Sequence, residues 1–185
     1  MRRVRYLVAA GLDGQIALAD GSFECFAVCG NDHVADYLES IQQFAVVIMG
    51  RKTYEVALRI GVTDPYPALE TYVFSGSIQE SLHANVHVIA TDPAEFVKRM
   101  TAGEGGPIYL CGGGKLAATL LNAGLIGEVS VKLNPLITGP GIALFAGVDR
   151  PVRLNLSGSK TYRNGVVVLT YTVRNAGLEA GESEK

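Results

Sequence analysis

The sequence predicts an α/β fold: a mostly parallel central sheet, helices on both faces, and an antiparallel hairpin added at the C-terminal end. Three observations predict it. Short apolar runs such as Ala45-Val46-Val47-Ile48-Met49 read as strands buried on both faces, as the strands of a parallel sheet are. Up to Gly124, strand and helix patterns alternate. From Glu128 onward, strand patterns follow one another with no helix between them.

Size and composition bound the rest. The chain has 185 residues, a formal net charge of -2, 48% hydrophobic and 18% charged residues. That is a globular composition, long enough for one domain to bury a core without cross-links. One domain is expected over residues 1–174. The tail, 175–185, carries Gly177, Glu179, Gly181, Glu182 and Glu184 and is expected to fray. A near-neutral charge argues against a nucleic-acid partner, and no stretch approaches the roughly 20 apolar residues of a membrane span. Met1-Arg2-Arg3 followed by Tyr6-Leu7-Val8-Ala9-Ala10 has the outline of a leader. The apolar run is too short and Asp13 interrupts it, so the opening reads as a first strand and the protein as cytoplasmic. Cys25, Cys29 and Cys111 are odd in number and lack a His or Cys pair at zinc spacing. Free thiols are expected, with no disulfide and no metal.

The elements follow in order. Val4 to Ala10 is a buried strand running into the turn Gly11-Leu12-Asp13-Gly14, and Ile16 to Ala19 extends it to a second turn at Asp20-Gly21. Asn31 or Asp32 is placed to cap a helix reaching about Gln43, with Val34, Leu38 and Ile41 on one face. The strand Ala45–Met49 is followed by Gly50-Arg51-Lys52-Thr53 and a helix to about Ile60. A loop with proline spans Thr63 to Pro67. Tyr72-Val73-Phe74 is a short strand ending in Ser75-Gly76-Ser77, and Val86 to Ala90 is another. Asp92 caps a helix through Met100 with Pro93 at its first position. Pro107 to Cys111 is a strand, Gly112-Gly113-Gly114 a turn, and Lys115 to Ala123 a helix closed by Gly124. Val129–Leu133, Val152–Ser159 and Val166–Val173 are strands, with Asn164-Gly165 marking a hairpin.

Two strand-to-helix turns carry the chemical signal. Met49-Gly50-Arg51-Lys52-Thr53 and Cys111-Gly112-Gly113-Gly114-Lys115 each place small or polar residues and positive charge at a helix N-terminus. Free N–H groups and the helix dipole make an anion site there, and glycine lets a phosphate approach the backbone. Either turn alone is better explained as structure. Two of them at the carboxyl ends of parallel strands, where ligands gather, point to a dinucleotide. Ser75 and Ser77 fit a phosphate contact or a simple turn. His33, His83 and His87 are scattered without a partner at recognisable spacing, and Tyr6, Tyr54 and Tyr109 read as core.

The order of elements and these turns resemble the dihydrofolate reductase superfamily. The similarity is closer to its riboflavin-biosynthesis branch, typified by the RibD C-terminal domain. Leu12-Asp13-Gly14-Gln15-Ile16-Ala17 is similar to that branch's LDGxIA segment, and Met49 through Glu55 to the superfamily's cofactor turn. Cys111-Gly112-Gly113-Gly114 with Leu120 through Leu125, and Pro135 through Phe145, resemble its glycine turn and its PxLxGxGxxLF loop. The resemblance runs from about Val4 to Val173. It implies a dihydrofolate-reductase-like three-layer fold and an NADPH-dependent reductase passing hydride to a small heterocyclic or carbonyl-type substrate. The alternatives are the riboflavin-pathway 5-amino-6-(5-phosphoribosylamino)uracil reductase and an NADP-binding regulatory protein without catalysis.

The same resemblance implies roles. Gly50, Arg51, Lys52 and Thr53 would hold cofactor phosphates, and Gly112, Gly113, Gly114, Lys115 and Leu116 would line the pyrophosphate next to Cys111. Ser75 and Ser77 would face the adenosine phosphate. The backbone at Ala9, Ala10, Ile16 and Ala17 would flank the nicotinamide, and Asp13, on the loop over the site, would be the substrate-facing catalytic group. A cis peptide between Gly112 and Gly113, NADPH preference over NADH, and a homodimer covering the Val166–Val173 edge are also expected. Two positions depart from the branch. Cys111 stands where it usually carries an acid, and Gly11 stands where Ser or Thr is common. Asp32, Asp36 and Glu39 lie where the folate enzymes place an acid facing the pterin, and an exposed helix face explains them equally well.

Overall fold

The computed structural model describes residues 2–78, 80–81 and 83–174; the tail expected to fray lies outside them. Strand and helix alternate as the hydrophobic pattern requires. β1 (Val4–Gly11) and β2 (Gln15–Leu18) come first, then α1 (Val34–Ile41), β3 (Val46–Gly50), α2 (Arg51–Arg59), β4 (Glu70–Phe74) and β5 (Val86–Ile89). α3 (Pro93–Ala102), β6 (Ile108–Gly112), α4 (Gly114–Asn122) and β7 (Ile126–Asn134) follow, and β8 (Gly141–Ala143), β9 (Leu154–Thr161) and β10 (Val167–Val173) complete the chain.

Eight strands form one sheet in the order β5-β4-β3-β6-β1-β7-β10-β9, and β2 pairs with β8 in a small second sheet. The pairings from β5 to β7 are parallel; β10 on β7 and β9 on β10 are antiparallel. The predicted class is therefore the observed one. β10 is interior, however, and the exposed edge belongs to β9, because the hairpin closes back outside β10.

Each face of the sheet has its own core. Val4, Tyr6 and Ala10 of β1 pack with Val97 of α3 and with Leu116, Ala117, Leu120 and Leu121 of α4. On the other face Val47, Met49, Val73 and Tyr109 pack with Tyr54 of α2, with Ile41 of α1 at the margin. The cap of α3 is as expected: the Asp92 carboxylate accepts from the Glu95 N–H at 2.9 Å, and Pro93 opens the helix.

The first helix departs from its pattern. Its N-cap is His33, with no side-chain capping bond, rather than Asn31 or Asp32. Leu38 is 51% exposed and Val34 36%. The helix turns Val34 together with the polar or aromatic His33, Asp36, Tyr37 and Ser40 toward a cleft over the sheet. The reason lies beneath it: this part of the floor carries Arg5, Glu128, Ser130 and Lys132, which an apolar helix face would desolvate without partners. A six-residue 3₁₀ turn, Glu24–Cys29, precedes it and has no counterpart among the predicted elements.

Candidate functional site

The two glycine turns are brought side by side. β3 and β6 are parallel neighbours, with Met49 opposite Gly112, so both chains leave the sheet at the same edge and enter α2 and α4 there. Neither helix N-terminus is closed by a side chain: Gly50 caps α2 and Gly113 caps α4, both without a side-chain bond. The first amides of each helix are thus left as donors. Thr53 of α2 stands against the second turn, its Oγ1 3.7 Å from where a β-carbon on Gly112 or Gly113 would lie. Together they border a cleft of about 1950 Å3.

Most of the expected residues line that cleft: Ala9, Ile16, Ala17, all of Gly50–Thr53 and all of Cys111–Leu116. The expected cis bond is absent. No peptide among the described residues is cis, and the turn is made instead by Gly113 at φ 94°. That backbone is open to glycine and costs any other residue strain. Gly114 must be glycine for a different reason. A β-carbon there would lie 2.1 Å from the Ala143 carbonyl oxygen, so β8 passes directly over the first turn of α4.

Four expected residues lie off the cleft. Ala10 is fully buried in the core on the opposite face of β1. The Ser75 hydroxyl accepts from the N–H groups of Ser77 (3.1 Å) and Ile78 (2.9 Å), which makes a turn, and Ser77 does not reach the cleft. Asp13 likewise does not line the cleft. Its carboxylate accepts from the Thr138 N–H (2.8 Å), the Thr138 hydroxyl (3.0 Å) and the Gly139 N–H (2.9 Å). Desolvation pushes its pKa up, but these bonds outweigh it and hold the carboxyl below the usual carboxylate range. The residue pins the 135–145 loop to the loop after β1. The same pairing is completed by Leu12 N–H to Leu136 O (2.8 Å), Leu144 N–H to Gly14 O (2.9 Å) and the β2–β8 ladder. The rim residues Gly141, Ile142 and Ala143 are placed by this latch.

The charges at the phosphate end are partly committed. Arg51 pairs with Glu55 one turn along α2 at 2.5 Å, both side chains 40% exposed, so the pair holds the guanidinium at the cleft border rather than burying it. Lys52 and Lys115 form no ion pair among the described residues. Two uncapped helix termini, three cations and a glycine cradle fit the phosphates of a dinucleotide.

Two side-chain groups deeper in the cleft were not read from the sequence as a site, Cys111 excepted. Tyr37 of α1, Tyr66 of the loop before β4, and Tyr109 and Cys111 of β6 meet there. The Tyr37 hydroxyl is 3.1 Å from that of Tyr109 and 3.3 Å from that of Tyr66, and the Tyr66 hydroxyl is 3.0 Å from the Cys111 Sγ. Burial raises the pKa of all four, so the end where the branch usually carries an acid is here uncharged. Across Leu7 and Ala9 of β1, Lys132 of β7 lies 2.9 Å from His33 Nε2. Burial is the first cause of a lowered pKa at both. The signal was faint: the tyrosines are far apart in sequence, and a lysine in an alternating strand reads as a solvent-facing residue.

The comparisons agree with this architecture. YwjB, an uncharacterized protein of Bacillus subtilis, is 29% identical over 165 residues, covering 89% of this chain and 95% of its own. A solved structure from Shewanella sp. PV-4, assigned to riboflavin biosynthesis, superposes with a TM-score of 0.81 at 21% identity, covering 94% of this chain and 99% of that one. The deaminase/5-amino-6-(5-phosphoribosylamino)uracil reductase of Thermotoga maritima superposes with a TM-score of 0.67 at 13% identity. This chain is covered over 94% of its length and spans 57% of that protein. No helix among the described residues is long and apolar enough to cross a membrane. The family model described as the RibD C-terminal domain matches residues 2–168, and the chain belongs to that reductase-associated family.

Proposed function

We propose that the protein is an NADPH-dependent reductase that passes hydride to a small heterocyclic or carbonyl-type substrate. One observation carries the reading: two uncapped helix N-termini, with Arg51, Lys52 and Lys115, converge on a single cleft at the carboxyl edge of the sheet. That arrangement suits a dinucleotide with an additional phosphate.

When bound, the cofactor would supply the hydride, which carries both electrons. The chain's own residues do the rest. The amides at Gly50–Arg51 and Gly113–Gly114 and the three cations hold phosphate oxygens. The Gly112–Gly113 backbone admits them closely, and Thr53 braces that turn. Ala9 and Ala17 leave a flat surface on which a ring can lie. The latch at Asp13 fixes the rim made by Gly141–Ala143. The sheet floor and α1 shield the reacting atoms from water.

A second reading is favoured by family membership and by the Thermotoga neighbour: reduction of the ribosylamino-pyrimidine phosphate in riboflavin biosynthesis. Cys111 within an uncharged phenol–thiol cluster stands where that branch's acid would face its substrate, which favours the broader reading. NADPH binding by calorimetry, then NADPH consumption across pyrimidine ribosyl phosphates and phosphate-free carbonyl compounds, tests the two together. Turnover of phosphate-free carbonyls supports the first reading and exclusive turnover of the ribosyl phosphate the second. No binding of NADPH refutes both.

A further inference from the structure

The cleft floor can be traced strand by strand. In β1 the side chains of Arg5, Leu7 and Ala9 face the cleft, and those of Tyr6 and Ala10 face the other core. In β7 Glu128, Ser130 and Lys132 do the same, opposite Arg5, Leu7 and Ala9 in register. Lys132 therefore sits beside Ala9, one strand spacing of about 4.8 Å away. Ala9 is a position where the nicotinamide ring would lie under the reading proposed above, on which this inference rests.

Lys132 is an unusual residue for that place. It is partly buried, and no carboxylate pairs with it among the described residues. The contact it does make is to His33, 7% exposed, at the N-cap of α1. His33 Nδ1 is buried without a partner, and the Tyr162 ring stands edge-on to the imidazole. Cys29 and Asp32 also lie near enough to influence the pair, each favouring positive charge. Two bases in contact, one buried and one partly so, do not both carry a proton readily, so a neutral imidazole accepts at Nε2 from the Lys132 ammonium. The remaining N–H bonds of Lys132 are free for the cleft. The nearby Lys160 is committed to Asp36, which also accepts from Tyr162 at 2.5 Å. The phenol–thiol cluster opposite is uncharged and holds its protons more tightly.

We propose that Lys132 is a catalytic residue of the substrate compartment: its ammonium binds the carbonyl or imine heteroatom and delivers the proton that accompanies hydride addition. His33 is a positioning residue that aims it. The step balances. The substrate carbon accepts hydride, with its electron pair, from the reduced dinucleotide. The C=O or C=N π bond opens, and the heteroatom takes a proton as one Lys132 N–H bond breaks. The substrate is reduced, the dinucleotide is oxidised, and Lys132 regains a proton from water at the cleft mouth. The compartment so described takes an uncharged aromatic carbonyl or cyclic imine, flanked by the phenols of Tyr37 and Tyr66 and anchored at Lys132.

The test needs no known substrate. Benzaldehyde is offered to the full-length protein, and any lysine imine is trapped with borohydride and mapped by mass spectrometry. Burial that disfavours the ammonium raises the free-amine fraction at neutral pH, so Lys132 should label faster than the more exposed Lys98 and Lys160. Labelling at Lys132 should persist with NADP+ bound, while Lys52 and Lys115 become protected. Lys132→Arg, or Lys132→Met should the first not fold, removes that label alone. His33→Phe removes the acceptor and moves the pH midpoint of labelling downward; His33→Gln, which can still accept, returns it toward wild type. Label distributed by exposure alone, or loss of the Lys132 label when NADP+ binds, overturns the proposal. Calorimetry on the same samples reads NADPH binding independently, so failure of the reductase reading is distinguishable from failure of this one.

Discussion

Replacing Gly114 with alanine separates the packing of the glycine turn from its ligand chemistry. The new β-carbon would lie 2.1 Å from the Ala143 carbonyl oxygen, and 3.3 Å from Ala143 C and from Leu144 O. These are backbone atoms, so no side-chain rotation relieves the contact. The Ala146 N–H also donates to Gly114 O at 3.1 Å, which ties the same segment to the same residue. β8 and the first turn of α4 must separate by roughly 1 Å, an overpacking that costs about 1–3 kcal/mol. For a chain of this size that lowers Tm by roughly 2–12 °C. Gly112→Ala is the control. Its β-carbon meets Thr53 at an ordinary 3.7 Å, so its stability should change by no more than about 1 kcal/mol. The added methyl would nevertheless fill the cradle and weaken NADPH at least tenfold, about 1.4 kcal/mol. Thermal unfolding and calorimetry on both variants give the comparison. A Gly114→Ala protein that melts with wild type would refute the close passage of β8. A Gly112→Ala protein with undiminished NADPH affinity would refute phosphate approach at that turn.

Other outcomes follow from the same geometry. Asp13→Asn should lower the urea midpoint at neutral pH, because the folded carboxyl is held below its unfolded value by Thr138 and Gly139. That contribution is fully present above the unfolded pKa and is lost as pH falls through the folded one. The two proteins should therefore converge on acidification, and a constant gap would contradict the latch. Alkylation of Cys111 should be slow at neutral pH and speed up in alkali, since burial pushes the thiol up. Tyr66→Phe, by removing a bond that opposes this rise, should slow it further, and a faster reaction would contradict the cluster. Light scattering should show twice the 19.6 kDa of one chain, because β9 leaves an open strand edge with Leu154 and Leu156 exposed. A monomer at micromolar concentration would contradict pairing.

The sheet was legible because its central strands are buried on both faces. A run such as Val46–Met49 leaves no solvent side to confuse the pattern, and the glycine turns sit where that burial ends. The cleft's other wall was not legible. Helical periodicity singled out Val34, Leu38 and Ile41, but the floor opposite α1 is polar, and tertiary pairing overrode the pattern. Asp13 was expected to face substrate by resemblance; its bonds to residues 138 and 139, which make it a latch, are not legible in the sequence. Lys132 and His33 are 99 residues apart and meet only once β7 and α1 are in place. The Gly112–Gly113 bond was expected cis by resemblance, whereas a trans bond with Gly113 at positive φ makes the turn.

The most direct test is calorimetric titration of the wild-type protein and Arg51→Ala with NADPH and with NADH. Charge-assisted contacts from Arg51, Lys52 and Lys115, at about 1.5–3 kcal/mol each, predict at least a tenfold preference of wild type for NADPH. Arg51→Ala should shrink that preference by weakening NADPH far more than NADH. Equal dissociation constants for the two cofactors, or binding of neither, would contradict the account.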